Sequence, residues 1–238
     1  KDFLKLIKNQ RSTKKNNKFE GTLLSYLQVI KDNPKALKLA HKRLYDVIND
    51  KGCKTIDVGD EGYRGAYNGD KIRLYSYFEE EFFGMETVIN KLMRYLKSAA
   101  LKGEESRQVL LLMGPVGAGK SALTEFVKQA LELAEPVYHL KGCPIREEPL
   151  HLVPRSLRAE FSELLGVKIE GDLCPICRHR LINEHGGKYE NFPVTQTSFS
   201  QRGRRGIAVV PPMDANSQDV SVLIGTEDIS KLDLYPED

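Results

Sequence analysis

The chain has 238 residues, 40% of them hydrophobic, which suffices for one large domain or one domain with a small appendage. Its 36 basic and 33 acidic side chains leave a formal charge of +3, too even for a general nucleic-acid footprint. No apolar run reaches membrane-spanning length, no secretory signal opens the chain, and four cysteines do not make a secreted disulfide framework, so a cytoplasmic protein without membrane or nucleic-acid partners is expected.

In chain order, Thr22-Leu23-Leu24-Ser25-Tyr26-Leu27 begins an amphipathic helix. Asn33-Pro34 then signals a second start, a cap followed by Pro at the first helical position, with Leu37, Ala40, Leu44, Val47 and Ile48 at helical spacing and Gly52 just past the end. Residues 57–71 are rich in Gly, Asp and Asn and read as a linker. Residues 1–75 are therefore expected to form an N-terminal helical segment with its linker, and residues 76–238 a separate domain. Phe82 to Ala100 reads as a helix with Val88, Ile89, Leu92, Leu96 and Ala99 on one face.

Val109-Leu110-Leu111-Leu112-Met113 reads as a buried strand, and Ala122 to Leu131 as a helix. Pro136 to Leu140 is expected to be a strand, Ser156 to Leu165 a helix ended by Gly166, and Pro175 to His185 a helix ended by Gly186-Gly187. Val194 to Phe199 and Ile207 to Val210 are expected to pair as a hairpin, and Ser217 to Ile224 to close the chain as a helix. Helix, strand, loop, helix, strand in this order predicts an α/β core preceded by a helical piece.

Between that strand and helix stands GPVGAGKS, residues 114–121, which satisfies G-x-x-x-x-G-K-[ST] with Gly114, Gly119, Lys120 and Ser121. Backbone N–H groups of such a loop cradle phosphate oxygens, and the following helix adds its positive N-terminal end. Gly117 and Gly119 admit backbone conformations that a side chain would block. Lys120 is placed to reach the β- and γ-phosphates, and the Ser121 hydroxyl to ligate Mg²⁺. The expected binding segment for Mg-ATP is Gly114, Pro115, Val116, Gly117, Ala118, Gly119, Lys120, Ser121 and Ala122. Hydrolysis also needs an acidic residue at the end of a second strand. The nearest candidate, Asp214 after Ile207 to Met213, follows two prolines that break a strand, and Glu147-Glu148 follow no apolar run. No catalytic residue is assigned.

Cys174, Cys177, His179 and His185 fall within twelve positions. Cys-x-x-Cys spacing suits zinc, and Cys174, Cys177 and His179 are the candidate ligands. If Pro175 opens a helix, Cys177 and His185 are separated by about 12 Å of rise and cannot share one ion. Cys143 and Cys53 are remote in sequence. A structural role, zinc and a redox pair stay open. Lys8, Arg11, Lys14 and Lys15 read as a solvated segment or a docking site for an acidic partner. Arg202, Arg204 and Arg205 are expected on a hairpin tip, there for solubility or to contact phosphate, a neighbouring subunit or a substrate.

Several stretches together resemble the PrkA-type serine protein kinases, bacterial proteins with an AAA-type ATPase module. They are Glu80 to Glu86, Leu111 to Ser121, Lys141-Gly142-Cys143-Pro144, Glu148 to Pro154, Ile169 to Leu173, Asn216 to Val220 and Asp228-Ile229-Ser230. The resemblance runs from about residue 18 to the end, and Ala118 stands where family members often carry Gly. It implies a P-loop NTPase core of AAA type, present here as an N-terminal part, with the acidic strand, the arginines and a kinase-associated domain following later. It also implies that Phe82 to Ala100 lies near the adenine. No H-R-D, D-F-G or V-A-I-K of the eukaryotic kinase type occurs. The implied activity is ATP-dependent phosphorylation of a protein serine. An ATP-driven protease or remodeller, or a nucleotide-gated scaffold without turnover, fits the same loop. A homo-oligomeric ring is in keeping with an AAA module.

Overall fold

A computed structural model describes residues 3, 19–56 and 72–210 of the chain. In chain order the elements are β1 (Glu20–Thr22), α1 (Leu23–Asp32), α2 (Ala40–Asp50), β2 (Cys53–Ile56), β3 (Ile72–Tyr75), α3 (Ser76–Glu79), α4 (Glu86–Ala100), α5 (Lys120–Glu132), β4 (Val137–Leu140), α6 (Arg158–Leu165), α7 (Pro175–Asn183) and β5 (Pro193–Thr197), with short 3₁₀ turns between. Two compact units result. One takes the described residues of Lys1–Leu37, Pro136–Ser198 and Arg202–Asp238, the other those of Lys38–Glu135 and Phe199–Gln201. The linker expected at 57–71 lies outside the described residues.

The first unit is built on a three-stranded sheet in the order β1-β5-β4, with both pairings antiparallel. Central β5 alternates into a core in which Leu23, Tyr26, Ile30, Leu140, Phe192 and Val194 are almost wholly buried. Each such side chain contributes about 1.5–3 kcal/mol by leaving water. The ring of Tyr138 packs 5.2 Å from both Phe19 and Tyr26. The Tyr26 hydroxyl donates to Glu148 at 2.7 Å, so its polar end is satisfied while its ring is buried.

The second unit packs α2 against α4 and α5 beside the β2–β3 hairpin. Its core holds Ile48, Tyr75, Phe78, Ile89, Met93, Leu96 and Leu123. Asn90 sits on the buried face of α4 because it pairs with Arg73 as a neighbouring strand would: its amide donates to Arg73 O at 2.6 Å and its oxygen accepts from Arg73 N at 3.1 Å, pinning β3 to the helix. Buried Arg43 is likewise matched, by the carbonyls of Lys38 and Glu135.

Four expectations are corrected. Val109–Met113 is not a buried strand: Val109, Leu111 and Met113 are 94%, 74% and 84% exposed, and among the described residues no strand lies beside them. An apolar run becomes a strand only when neighbours accept its edges. Ile207–Val210 forms no strand either, because both edges of β5 are already occupied by β1 and β4. The helix starting at Asn33-Pro34 stops after one 3₁₀ turn (Pro34–Leu37) and restarts at Ala40, with Leu39 extended between. The start signal itself is real, since the Asn33 side chain accepts from Lys35 N at 3.2 Å. Val88 is exposed, and Asn90 and Met93 take the buried positions of α4. The strands β1, β2 and β3 escape sequence reading because each is only three or four residues long. The helix expected at Ser217 to Ile224 lies outside the described residues.

The helices α6 and α7 and strand β4 stand where the sequence puts them. Gly166 caps α6 in the left-handed conformation (φ 64°), and Gly186 and Gly187 follow α7 at φ 58° and 76°. No helix among the described residues is long and apolar enough to cross a membrane.

Candidate functional site

The 114–119 segment forms a surface loop that delivers the chain into α5. Gly117 and Gly119 adopt φ of 82° and 74°, the left-handed region that costs other residues about 1–2 kcal/mol. Around Gly117 nothing lies within 4 Å of where a Cβ would be, so glycine is needed there for its backbone rather than for space. Gly119 is the N-cap of α5, and its carbonyl accepts the first helical bond from Leu123 N at 2.9 Å. A Cβ on Gly119 would stand 3.4 Å from Met85 Sδ, at the entrance to α4.

Lys120 is the first residue of α5 and folds back over the loop. Its Nζ donates to Gly114 O at 2.7 Å and to Pro115 O at 2.6 Å. One ammonium thus spans the mouth of the loop, with the helix N-terminus beneath it. Ser121 and Ala122 follow on the exposed side of the first turn, and Val116 is fully exposed at the tip. The helix behind the loop is fixed by aromatic packing. Phe126 lies 5.0 Å from Tyr77 and 5.4 Å from Phe82, and the Tyr77 hydroxyl donates to Phe126 O at 2.9 Å. A cleft of about 360 Å³ opens in the same unit, lined by Arg73, Tyr75, Phe82, Phe83, Glu86 and Ile89 among others. Met85, which a Cβ on Gly119 would meet, lies in sequence between two of these lining residues, Phe83 and Glu86.

The second cluster belongs to the other unit. Cys174 is the N-cap of α7, its Sγ accepting from Cys177 N at 3.4 Å, with Pro175 at the first helical position as expected. Cys143, in the turn after β4, joins them: its Sγ lies 4.0 Å from Cys174 Sγ and accepts from Glu147 N at 3.4 Å. Glu147 completes the group, with Oε1 accepting from Cys174 N at 2.8 Å. His179, a sequence candidate, is not in this group, and neither is His185, which stacks on Phe192 at 4.7 Å. Remoteness in sequence had set Cys143 aside. The antiparallel β4–β5 pairing and the turn after β4 bring it back. Burial is the chief cause that pushes the Cys174 and Cys177 thiols above their ordinary range.

The remaining candidates are dispersed. Glu148 accepts from Tyr26 and so is occupied in the core of the first unit. Arg202 and Arg204 are exposed on a turn, while Arg205 is partly buried. Lys8, Arg11, Lys14, Lys15 and Asp214 lie outside the described residues.

The PrkA AAA domain family matches residues 21–238. The chain is 39% identical over 240 residues to the ATP-dependent protease PrkA of Bacillus subtilis, covering 98% of this chain and 36% of that protein. It is 32% identical over 226 residues to the serine/threonine kinase YeaG of Escherichia coli, covering 92% of this chain and 34% of that protein. A shorter stretch of 70 residues is 30% identical to the mitochondrial Lon protease homolog of Rattus norvegicus, covering 29% of this chain and 7% of that protein. No solved structure matches. The chain spans about a third of the length of its two longer-matching relatives. A glycine loop entering a helix at Lys120, with the family match running through it to residue 238, places this chain in the PrkA AAA domain family.

Proposed function

We propose that this chain is the nucleotide-binding part of a cytoplasmic AAA-type serine/threonine protein kinase and that it holds Mg-ATP on residues 114–122. The observation that carries the reading is Lys120 Nζ poised on the Gly114 and Pro115 carbonyls at the mouth of a loop with two left-handed glycines. The residues fit the group. Amides of Gly114 to Gly119 would cradle phosphate oxygens, Lys120 would neutralise their charge, and the Ser121 hydroxyl would hold Mg²⁺. The Phe82–Ile89 side of the cleft offers apolar and aromatic surface for a base, in keeping with adenine binding near this segment. Mg-ATP supplies the transferable γ-phosphoryl group. This chain's share is binding and charge neutralisation, for no described residue is placed as the acid that orients the attacking hydroxyl.

Thermal unfolding with Mg-ATP, beside Lys120→Ala, tests the binding. A hundredfold excess over Kd should stabilise the parent by about 2.7 kcal/mol and leave the variant unmoved. Equal responses would remove the loop from the site.

A second reading, an ATP-dependent protease, is favoured by the name of the Bacillus subtilis relative. The complete protein decides, incubated with Mg-ATP and a protein substrate. Phosphoserine or phosphothreonine formation supports the kinase, and ATP-dependent peptide release supports the protease. Tight binding with no turnover would make it a nucleotide-gated scaffold. The same preparation tests the homo-oligomer expected of an AAA module, as a mass increase by light scattering on adding Mg-ATP.

A further inference from the structure

The turn after β4 and the start of α7 bring four ligand-capable side chains to one point. The three sulfurs of Cys143, Cys174 and Cys177 and a carboxylate oxygen of Glu147 all lie within 4.8 Å of one another. All four cysteines are free, so no bridge consumes these thiols. We propose that Cys143, Cys174, Cys177 and Glu147 form a structural zinc site that ties the β4 turn to the N-terminus of α7.

Geometry supports the assignment. Four ligands around zinc, with Zn–S near 2.3 Å, put neighbouring sulfurs about 3.8 Å apart. Cys143 Sγ and Cys174 Sγ are 4.0 Å apart. That pair already has the spacing of a tetrahedral site, and with all four ligand atoms within 4.8 Å of one another the rest need to close by about 1 Å at most. Its protein ligands fill all four positions, the closed arrangement of a structural rather than a catalytic zinc.

An independent observation comes from Glu147. Its side chain is 3% exposed, and Oε2 has no hydrogen-bond donor among the described residues. Oε1 is held by Cys174 N at 2.8 Å and by His151 Nδ1 at 3.2 Å. A buried carboxylate with one oxygen satisfied and the other bare is costly, and a cation among three sulfurs repays it. The backbone is arranged for the same purpose. Cys177 N donates to Cys174 Sγ and Glu147 N donates to Cys143 Sγ, both at 3.4 Å, which stabilises charge on sulfur. The turn that presents Cys143 and Glu147 also accepts strain, since Arg146 between them sits at φ 51°.

Zinc fits better than the other soft-ligand chemistry. Of the three sulfurs only Cys174 is partly exposed, while Cys143 and Cys177 are buried at 6% and 0%, so a redox pair would have to exchange through Cys174 alone. Three sulfur ligands with one hard oxygen, three of the four residues buried, suit a divalent ion without redox chemistry.

The test uses the whole chain, purified reduced and without chelator in zinc-supplemented medium. Metal analysis and native mass spectrometry should find one zinc per chain. Cys143→Ser should lower that content about tenfold or more, whereas Cys53→Ser, at an exposed cysteine outside the cluster, should leave it unchanged. Should Cys143→Ser fail to fold, the unmutated protein still decides. Stripped and reloaded with Co²⁺, it should show thiolate-to-metal charge-transfer absorption and tetrahedral d–d bands, and zinc addition should raise its melting temperature. Zinc-free protein with no cobalt–thiolate band overturns the proposal. So does equal metal loss in both cysteine variants, or the disappearance of two thiols into a disulfide in the unmutated chain.

Discussion

The glycine loop at 114–119 and the cysteine corner are both small backbone turns at helix N-termini, yet they are built in opposite ways. The loop is one contiguous stretch, exposed, whose glycines set the backbone and whose lysine reaches back six positions to Gly114 O. The corner is assembled from two segments, with Cys143 and Cys174 separated by 31 positions, and all of it but Cys174 is buried. The proposed roles suit this contrast, since a site for a soluble ligand must stay open and can be encoded locally, whereas a staple between segments can only exist where the fold closes.

The largest effect that separates the two regions is expected from Phe192→Ala. Phe192 is wholly buried beside β5, under His185 and the Arg180 guanidinium. Truncation should cost about 3–5 kcal/mol, read by denaturant unfolding. The cysteine corner should become accessible to a thiol reagent while Lys120 keeps its Mg-ATP response. Loss of nucleotide binding as well would mean that the two regions are not independently built.

Lys120→Ala comes next. It should abolish the ligand-induced stabilisation of about 2.7 kcal/mol at a hundredfold excess, with less than ~0.5 kcal/mol change in the unliganded protein. A large loss of unliganded stability would show that Lys120 serves the fold rather than the ligand. Gly117→Ala should cost about 1–2 kcal/mol through its left-handed backbone alone, since no atom stands in the way of the added methyl. The same substitution at Gly119 should cost at least as much, because Met85 Sδ lies 3.4 Å from the new Cβ.

The smallest effect concerns Asp172. The Arg155 guanidinium hydrogen-bonded to it holds its carboxyl below the ordinary carboxylate range. The ion pair is therefore fully present above the unfolded value near ~3.9 and is lost as pH falls through the lower folded value. Arg155→Ala should produce a slight destabilisation at neutral pH that disappears in acid and in high salt, measured by melting temperature across pH.

Some of this molecule was legible from residue order. The glycine loop needs only neighbours in sequence, so GPVGAGKS announces its turn and its two left-handed glycines. The helices α6 and α7 are bracketed by Pro and Gly, whose backbone preferences act locally. The cysteine corner was half legible: Cys174-Pro175-Ile176-Cys177 shows the helix cap and the spacing, but nothing near it points to Cys143 or Glu147. His179 was the wrong companion because proximity along the chain stood in for proximity in space.

By itself the sequence determined what short-range physics can carry: the left-handed glycines at 117 and 119, the caps of the helices and the placement of Lys120 over its own loop. Tertiary structure decided whatever depends on a partner strand. It chose β1 and β4, not Ile207–Val210, as the neighbours of β5, and left Val109–Met113 with no described strand beside it. By folding the turn after β4 onto α7, it made three cysteines and a glutamate into one cluster, because hydrogen-bonded edges and buried volume are shared between segments and no single segment encodes them.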